Sequence, residues 1–240
     1  MPLPRMKIIR SSAIPFASVA IMVLLVSSFT TAIPVAEELV FTEYITFDRT
    51  HTPGSGASGC PTSSNYNLIG AKWTSFPVKY QVDVSRAPSD VQAGATAAIV
   101  AGFKAWEGIT GVSNFFQQVS SSNNKVQFRA IDGSFNVLAQ VQIFSKFGVF
   151  TRFVMTFDSA ENWKTVGADV CPTPDNLVGF DIQEVAAHEA GHVVGLHHAD
   201  QCDSCANRAL TMYPFIFAQG ETLKRSPESG DKLGMQNLYP

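Results

Sequence analysis

The chain has 240 residues, of which 45% are hydrophobic and 15% charged, enough apolar material for one core and a composition that excludes global disorder. A formal net charge of -3 at pH 7 provides no basic field, so nucleic acid is not an expected partner.

Arg5, Lys7 and Arg10 open the chain, an apolar stretch runs from Ile14 to Val26, and Thr30 and Ala32 offer small residues for a cleavage site. Residues 1–32 therefore read as a secretory signal peptide. The uncharged run from Arg10 to Glu37 is also long enough to serve as a retained anchor. Either way the remainder is translocated, and no second stretch of spanning length follows. The expected location is extracellular, with no membrane association once the leader is cleaved. Residues 50–64, THTPGSGASGCPTSS, have loop composition. The whole segment 33–70 is too short and polar for a core of its own and reads as a linker or short pro-segment. The compact domain is expected over 71–240.

Within that domain Val78, Tyr80, Val82 and Val84 alternate with polar residues, the pattern of a half-buried strand. Ser89 and Gln92 have capping-box spacing after Pro88, and Val91, Ala95, Ala98, Ile99, Phe103 and Trp106 share one helical face. Further strands are expected at Phe115–Val119, Val126–Ala130, Val137–Ile143 and Phe150–Phe157. A second helix opens at Asp181, with Glu184 at capping-box spacing, and stops at Gly195. A last helix spans about Gly230–Leu238, with Ser229 as its N-cap. This order predicts an α+β domain, with helices packed on a mixed sheet.

The second helix carries the chemistry. His188 and His192 are four residues apart, so both imidazoles leave the same helix face and can reach one zinc ion. Glu189 stands beside the first of them, placed to take a proton from a metal-activated water. A catalytic zinc needs a third protein ligand and one open position. Gly195 can adopt positive φ and turn the chain back, which delivers His198 as that ligand; its neighbour His197 is expected to point elsewhere. Four of the chain's five histidines fall in this stretch, which solvated or core histidines do not explain. The expected activity is zinc-dependent hydrolysis of peptide bonds, with protein or peptide substrates. The rival from another class is a non-catalytic, exported, zinc-stabilised peptide-binding protein, for which Glu189 would have no use. A zinc hydrolase acting on a non-peptide bond is the other alternative.

The segment His188–His198, HEAGHVVGLHH, followed by Thr211, Met212, Tyr213 and Pro214, resembles the metzincin zinc peptidases, and matrixins in particular. Met212 matches the methionine turn beneath the metal, and Tyr213 and Pro214 fit the matrixin form of it. Weaker similarity covers Lys72–Tyr80 and Asp231–Tyr239. The resemblance implies a twisted, mixed five-stranded sheet, two long helices and a C-terminal helix. Its antiparallel edge strand, here Val137–Ile143, would bind substrate by strand addition, and Pro214–Phe217 would wall the S1′ pocket. Matrixin features are also missing: His51 is the one histidine outside the motif, so a second, structural zinc is not expected, and no PRCGxPD latency segment occurs.

Cys60, Cys171, Cys202 and Cys205 can form two disulfides in an exported chain. Cys60 as a zinc cap and Cys202–Cys205 as a metal-binding pair are the alternatives. Asp158, Asp169 and Asp175 could ligate Ca2+, but no calcium-loop spacing supports it. Asp200 reads as a loop residue.

Overall fold

A computed structural model of the chain describes residues 38–47, 64–165, 179–199, 209–217 and 219–240. The expected leader (1–32), most of the 50–64 loop, His51, all four cysteines, Asp169, Asp175 and Asp200 lie outside the described residues.

The strands are β1 (Glu38–Phe47), β2 (Asn67–Leu68), β3 (Val78–Asp83), β4 (Phe116–Gln118), β5 (Lys125–Arg129), β6 (Val137–Lys146), β7 (Val149–Asp158), β8 (Trp163–Lys164), β9 (Phe180–Asp181), β10 (Leu196–His197) and β11 (Phe215–Ile216). Among the described residues the α-helices are α1 (Gln92–Lys104), α2 (Ile182–Val194) and α3 (Ser229–Leu238), with a 3-10 turn at Leu223–Arg225. The main sheet runs β11-β1-β6-β7-β5-β3-β4. Its inner part is the expected five-stranded mixed sheet: β4, β3, β5 and β7 are parallel, and β6 is antiparallel to β7. Two strands extend it. β1 pairs antiparallel along the length of β6, and the short β11 pairs parallel with the end of β1. The strand expected to be the open edge is therefore covered by the chain's own residues 38–47.

The alternation that predicts strands also sets their faces. In β5, Val126 and Phe128 are buried and their neighbours are not; in β3, Val78 and Tyr80 turn inward. Ala130 lies just past the end of β5 and is exposed. Tyr80 stacks on Phe103 of α1 with ring centroids 4.1 Å apart, which seats that helix on the sheet. α1 begins at Gln92 and has no side-chain cap. The Ser89–Gln92 box does not close, because the Gln92 amide donates to the Val84 carbonyl and the backbone turns on Pro88 instead. α3 starts one residue earlier than expected. Glu228 is its N-cap, in a capping box with Asp231.

α2 is buried along nearly its whole length. Asp181 caps it as expected, accepting the Glu184 N–H at 2.8 Å. At its other end the Trp73 indole N–H donates to Val193 O (2.7 Å) and the Tyr239 hydroxyl to Val194 O (2.8 Å). These satisfy carbonyls that a helix end leaves unpaired. A helix held at both ends by fixed partners is a rigid mount for whatever it carries.

Candidate metal centre

His188 and His192 project from one face of α2, a turn apart. Gly195 ends the helix at φ 122°, a conformation that costs glycine little and L side chains much. The chain reverses there and returns as β10, and His198 reaches the same point. The three Nε2 atoms stand 3.2, 3.2 and 3.3 Å from one another. Two nitrogens bound 2.0–2.1 Å from a tetrahedral zinc would be roughly 3.3 Å apart, so this spacing fits the ion.

Each imidazole is oriented from its other nitrogen. His188 Nδ1 donates to the Thr211 carbonyl at 2.6 Å, and His192 Nδ1 to the Leu196 carbonyl at 2.7 Å. His198 Nδ1 faces Glu43 Oε2 at 3.4 Å. With the proton on Nδ1, each Nε2 lone pair points into the shared centre, the protonation pattern that a metal requires. Burial, reinforced by crowding among the imidazoles, holds His188 and His192 well below the ordinary histidine range, which keeps them neutral. Among the described residues these three form the cluster able to hold a metal.

Glu189 is fully buried next to them, and neither carboxylate oxygen has a full hydrogen bond. Burial drives the Glu189 pKa well above the carboxylate range, the Ile45 N–H opposes this weakly, and the Glu43 charge adds to the rise. A buried carboxyl left without partners is costly, and such cost is characteristic of a group kept for chemistry.

Met212 lies under α2, buried among the core residues. Its turn is held by Asp231, whose carboxylate accepts the N–H groups of Thr211 (2.8 Å) and Met212 (3.2 Å). Tyr213 is fully buried, and Pro214 O accepts the Thr46 N–H as the chain enters β11. The segment expected to wall the S1′ pocket therefore lies against β1.

Two features here were not expected from the sequence. Gly191, between the two helical ligands, leaves room for the methionine: a Cβ there would overlap the Met212 sulfur and stand 2.6 Å from Cζ2 of Trp106. Gly191→Ala should gain about 0.5–1 kcal/mol of helix propensity and lose more than that to overpacking, roughly 1–3 kcal/mol or above. The measurable outcome is a lower melting temperature and less bound zinc; a variant as stable as wild type would show that Met212 and Trp106 give way.

Glu43 is the other. Its Oε1 accepts from His197 Nδ1 at 2.8 Å. Burial pushes its carboxyl up, but the His197 hydrogen bond and the charges of His198 and His197 outweigh that and hold it below its usual range. His197 thus points away from the centre, as expected. The available signal was the two-residue period of Phe41, Glu43, Ile45 and Phe47 ahead of the Gly/Ser-rich loop. Asp158, one of the calcium candidates, spends its carboxylate on the N–H groups of Asp132, Gly133 and Ala160, which shapes a loop.

A buried helix carrying two histidines, a glycine turn supplying a third, and a methionine beneath them define the catalytic-domain build of a zinc metallopeptidase. The family model described as matrixin, of the peptidase M10 group, matches residues 72–240, and the chain belongs to that family. Karilysin of Tannerella forsythia is 28% identical over 187 residues, covering 73% of this chain and 35% of karilysin. Stromelysin-1 of Rattus norvegicus is 29% identical over 173 residues, 68% of this chain and 30% of that protein. The hatching enzyme of Paracentrotus lividus is 27% identical over 143 residues, 57% of this chain and 21% of that one. The chain thus spans about a third or less of the length of these curated relatives.

Proposed function

We propose that this chain is an exported zinc-dependent endopeptidase that hydrolyses peptide bonds in protein or peptide substrates. The convergence of three Nε2 atoms within 3.3 Å beside the buried Glu189 is the observation that carries the reading. His188, His192 and His198 would hold one zinc, which when bound polarises the scissile carbonyl and acidifies water. Glu189 takes a proton from the attacking water on a carboxylate oxygen and passes it to the departing amide nitrogen. Thr211 and Leu196, through their carbonyls, keep the imidazoles of His188 and His192 aimed. Gly195, Met212 and Tyr213 are supports: the first turns the chain, and the others underlie the centre. β6 is paired along its length with β1, so an extended peptide would add to it only where β1 gives way, and Pro214–Phe217 would contact the residues after the cut.

Export rests on the composition of residues 1–32. Among the described residues no helix is long and apolar enough to cross a membrane. Sequencing the N-terminus of the protein recovered outside expressing cells should find the leader removed; full retention inside them would count against export.

The full chain should carry one zinc ion and cleave casein after incubation. A chelator should abolish cleavage. If the metal is present at ~1,000 times its dissociation constant, its removal should cost about 4 kcal/mol, or roughly 10 °C in melting temperature. Stoichiometric zinc with no cleavage by any preparation, including one with β1 released, would instead identify a zinc-stabilised peptide-binding protein.

A further inference from the structure

The outward face of the sheet has a chemistry that the metal centre does not use. In β3, β5, β6 and β7 the residues between the buried ones point away from α1 and α2. Toward the β6–β7 turn these include Lys146 of β6, Arg152 of β7, Lys125 of β5 and Lys79 of β3, one cation on each of four neighbouring strands. At ~4.8 Å per strand the band is about 14 Å wide. The Arg152 guanidinium lies 3.5 Å from the Phe144 ring centroid, and the Lys125 ammonium hydrogen-bonds Gln81. The acids of these four strands, Asp83 and Asp158, stand at the opposite strand ends, and both accept loop N–H groups. On a chain of net charge -3 the band is a local reversal of sign.

The band ends at the β6–β7 turn, where Phe147 and Gly148 form a two-residue connection with φ of 54° and 75°. Positive φ at both positions favours asparagine and glycine and penalises a bulky side chain. The fold gives Phe147 little in return: it is 81% exposed, and the Lys146 ammonium stands 6.0 Å from its ring. An aromatic side chain held out at a tip beside cations suits the water–lipid boundary. There rings lie at headgroup depth, and ammonium groups meet lipid phosphates and carboxylates. A soluble polyanion would need the cations but not the ring, and a protein partner would need an apolar patch wider than one tip.

We propose that this tip docks the chain on an anionic lipid surface, with Phe147 set among the headgroups and Lys79, Lys125, Lys146 and Arg152 facing their phosphates. The contact is peripheral and reversible, and it departs from the expectation of no membrane association once the leader is cleaved. It does not depend on the endopeptidase reading, because the tip and the metal centre share no residue. Each cation close to an anionic surface strengthens partitioning about fivefold, and burial of the Phe147 ring adds about tenfold or more. Where the endopeptidase reading holds, docking confines cutting to proteins at that surface.

The test sediments the full, zinc-loaded chain with two sets of vesicles, phosphatidylcholine alone and equal parts phosphatidylcholine and phosphatidylserine. The chain should pellet with the anionic set only, and raised salt should release it. Phe147→Asn, a better residue for this turn, should keep or raise the melting temperature and weaken vesicle binding about tenfold or more. Lys79→Gln combined with Lys125→Gln should weaken it about 25-fold. Both variants should hold as much zinc as the parent, which separates lost docking from a damaged fold. No pelleting with the anionic vesicles would overturn the proposal. So would binding unmoved by Phe147→Asn, with dextran sulfate competing equally against parent and variant, since that result identifies a site for soluble polyanions. Failure to cleave casein would count against the endopeptidase reading and leave the vesicle result as it stands.

Discussion

Glu189→Ala should retain one zinc per chain and a melting temperature at or above that of the parent, while casein turnover falls by about 10²–10⁴-fold. The comparison is made between the zinc-loaded parent and variant chains under the same conditions. The three ligating nitrogens belong to other residues, so metal content should not change. Stability should not fall either, because the carboxylate is fully buried and unsatisfied. Removing such a group recovers about 1–3 kcal/mol of desolvation cost, against which the small cavity left by truncation must be set. A structural support gives the opposite pattern, in which activity and stability fall together. Retained turnover in this variant would reassign the proton transfer to another group.

The metal centre was legible in the sequence because its parts are local. Helical spacing sets His188 against His192, and a single positive-φ glycine brings in His198, all within eleven residues. The strands of the inner sheet were equally legible from alternation. What the sequence hid depends on distant partners. Residues 33–70 hold no core of their own, yet β1 needs none, since it borrows an edge of β6 almost 100 residues away. Strand addition leaves only a weak two-residue period as its trace. Ser89 and Gln92 showed the reverse error: the local signal for a capping box was present, but the Val84 carbonyl claimed the glutamine. Asp231 was expected as one residue of a C-terminal helix. In the fold its carboxylate also carries the methionine turn, and burial pushes its pKa up to about 6 against the three backbone N–H groups that it accepts.

Lys224 is the strongest case of such hidden dependence, and its loss should have the largest effect on stability. In sequence it is half of a Lys-Arg pair with no motif around it; in the fold it is fully buried beneath α2. Its ammonium hydrogen-bonds Glu221 and stands 3.8 Å from Glu184. Lys224→Met preserves much of the apolar stem but leaves two buried carboxylates without their cation. Breaking a buried pair in this way costs about 3–5 kcal/mol, roughly 10 °C or more for a domain of this size. The loss should depend on pH. Burial already raises the Glu184 carboxyl, and the Lys224 charge is the main influence opposing it. Without that charge the folded-state pKa rises further above the unfolded value. The variant then binds a proton on folding more tightly than wild type, whose carboxyl is already raised to about 8, so the gap to wild type should narrow as pH falls toward about 8 and stay level below it. A gap independent of pH would mean that lost packing, not the orphaned charges, sets the cost. The damage should also reach the metal. Lys224 N–H donates to Glu184 on the first turn of α2, the Lys224 carbonyl accepts from the Thr211 hydroxyl, and the Thr211 carbonyl holds His188. Loosening that chain should weaken zinc binding by about tenfold, in the range seen when outer-shell partners of a ligand are removed. Competition with a metal indicator would measure it, and unchanged affinity would show that Thr211 stays in place without Lys224.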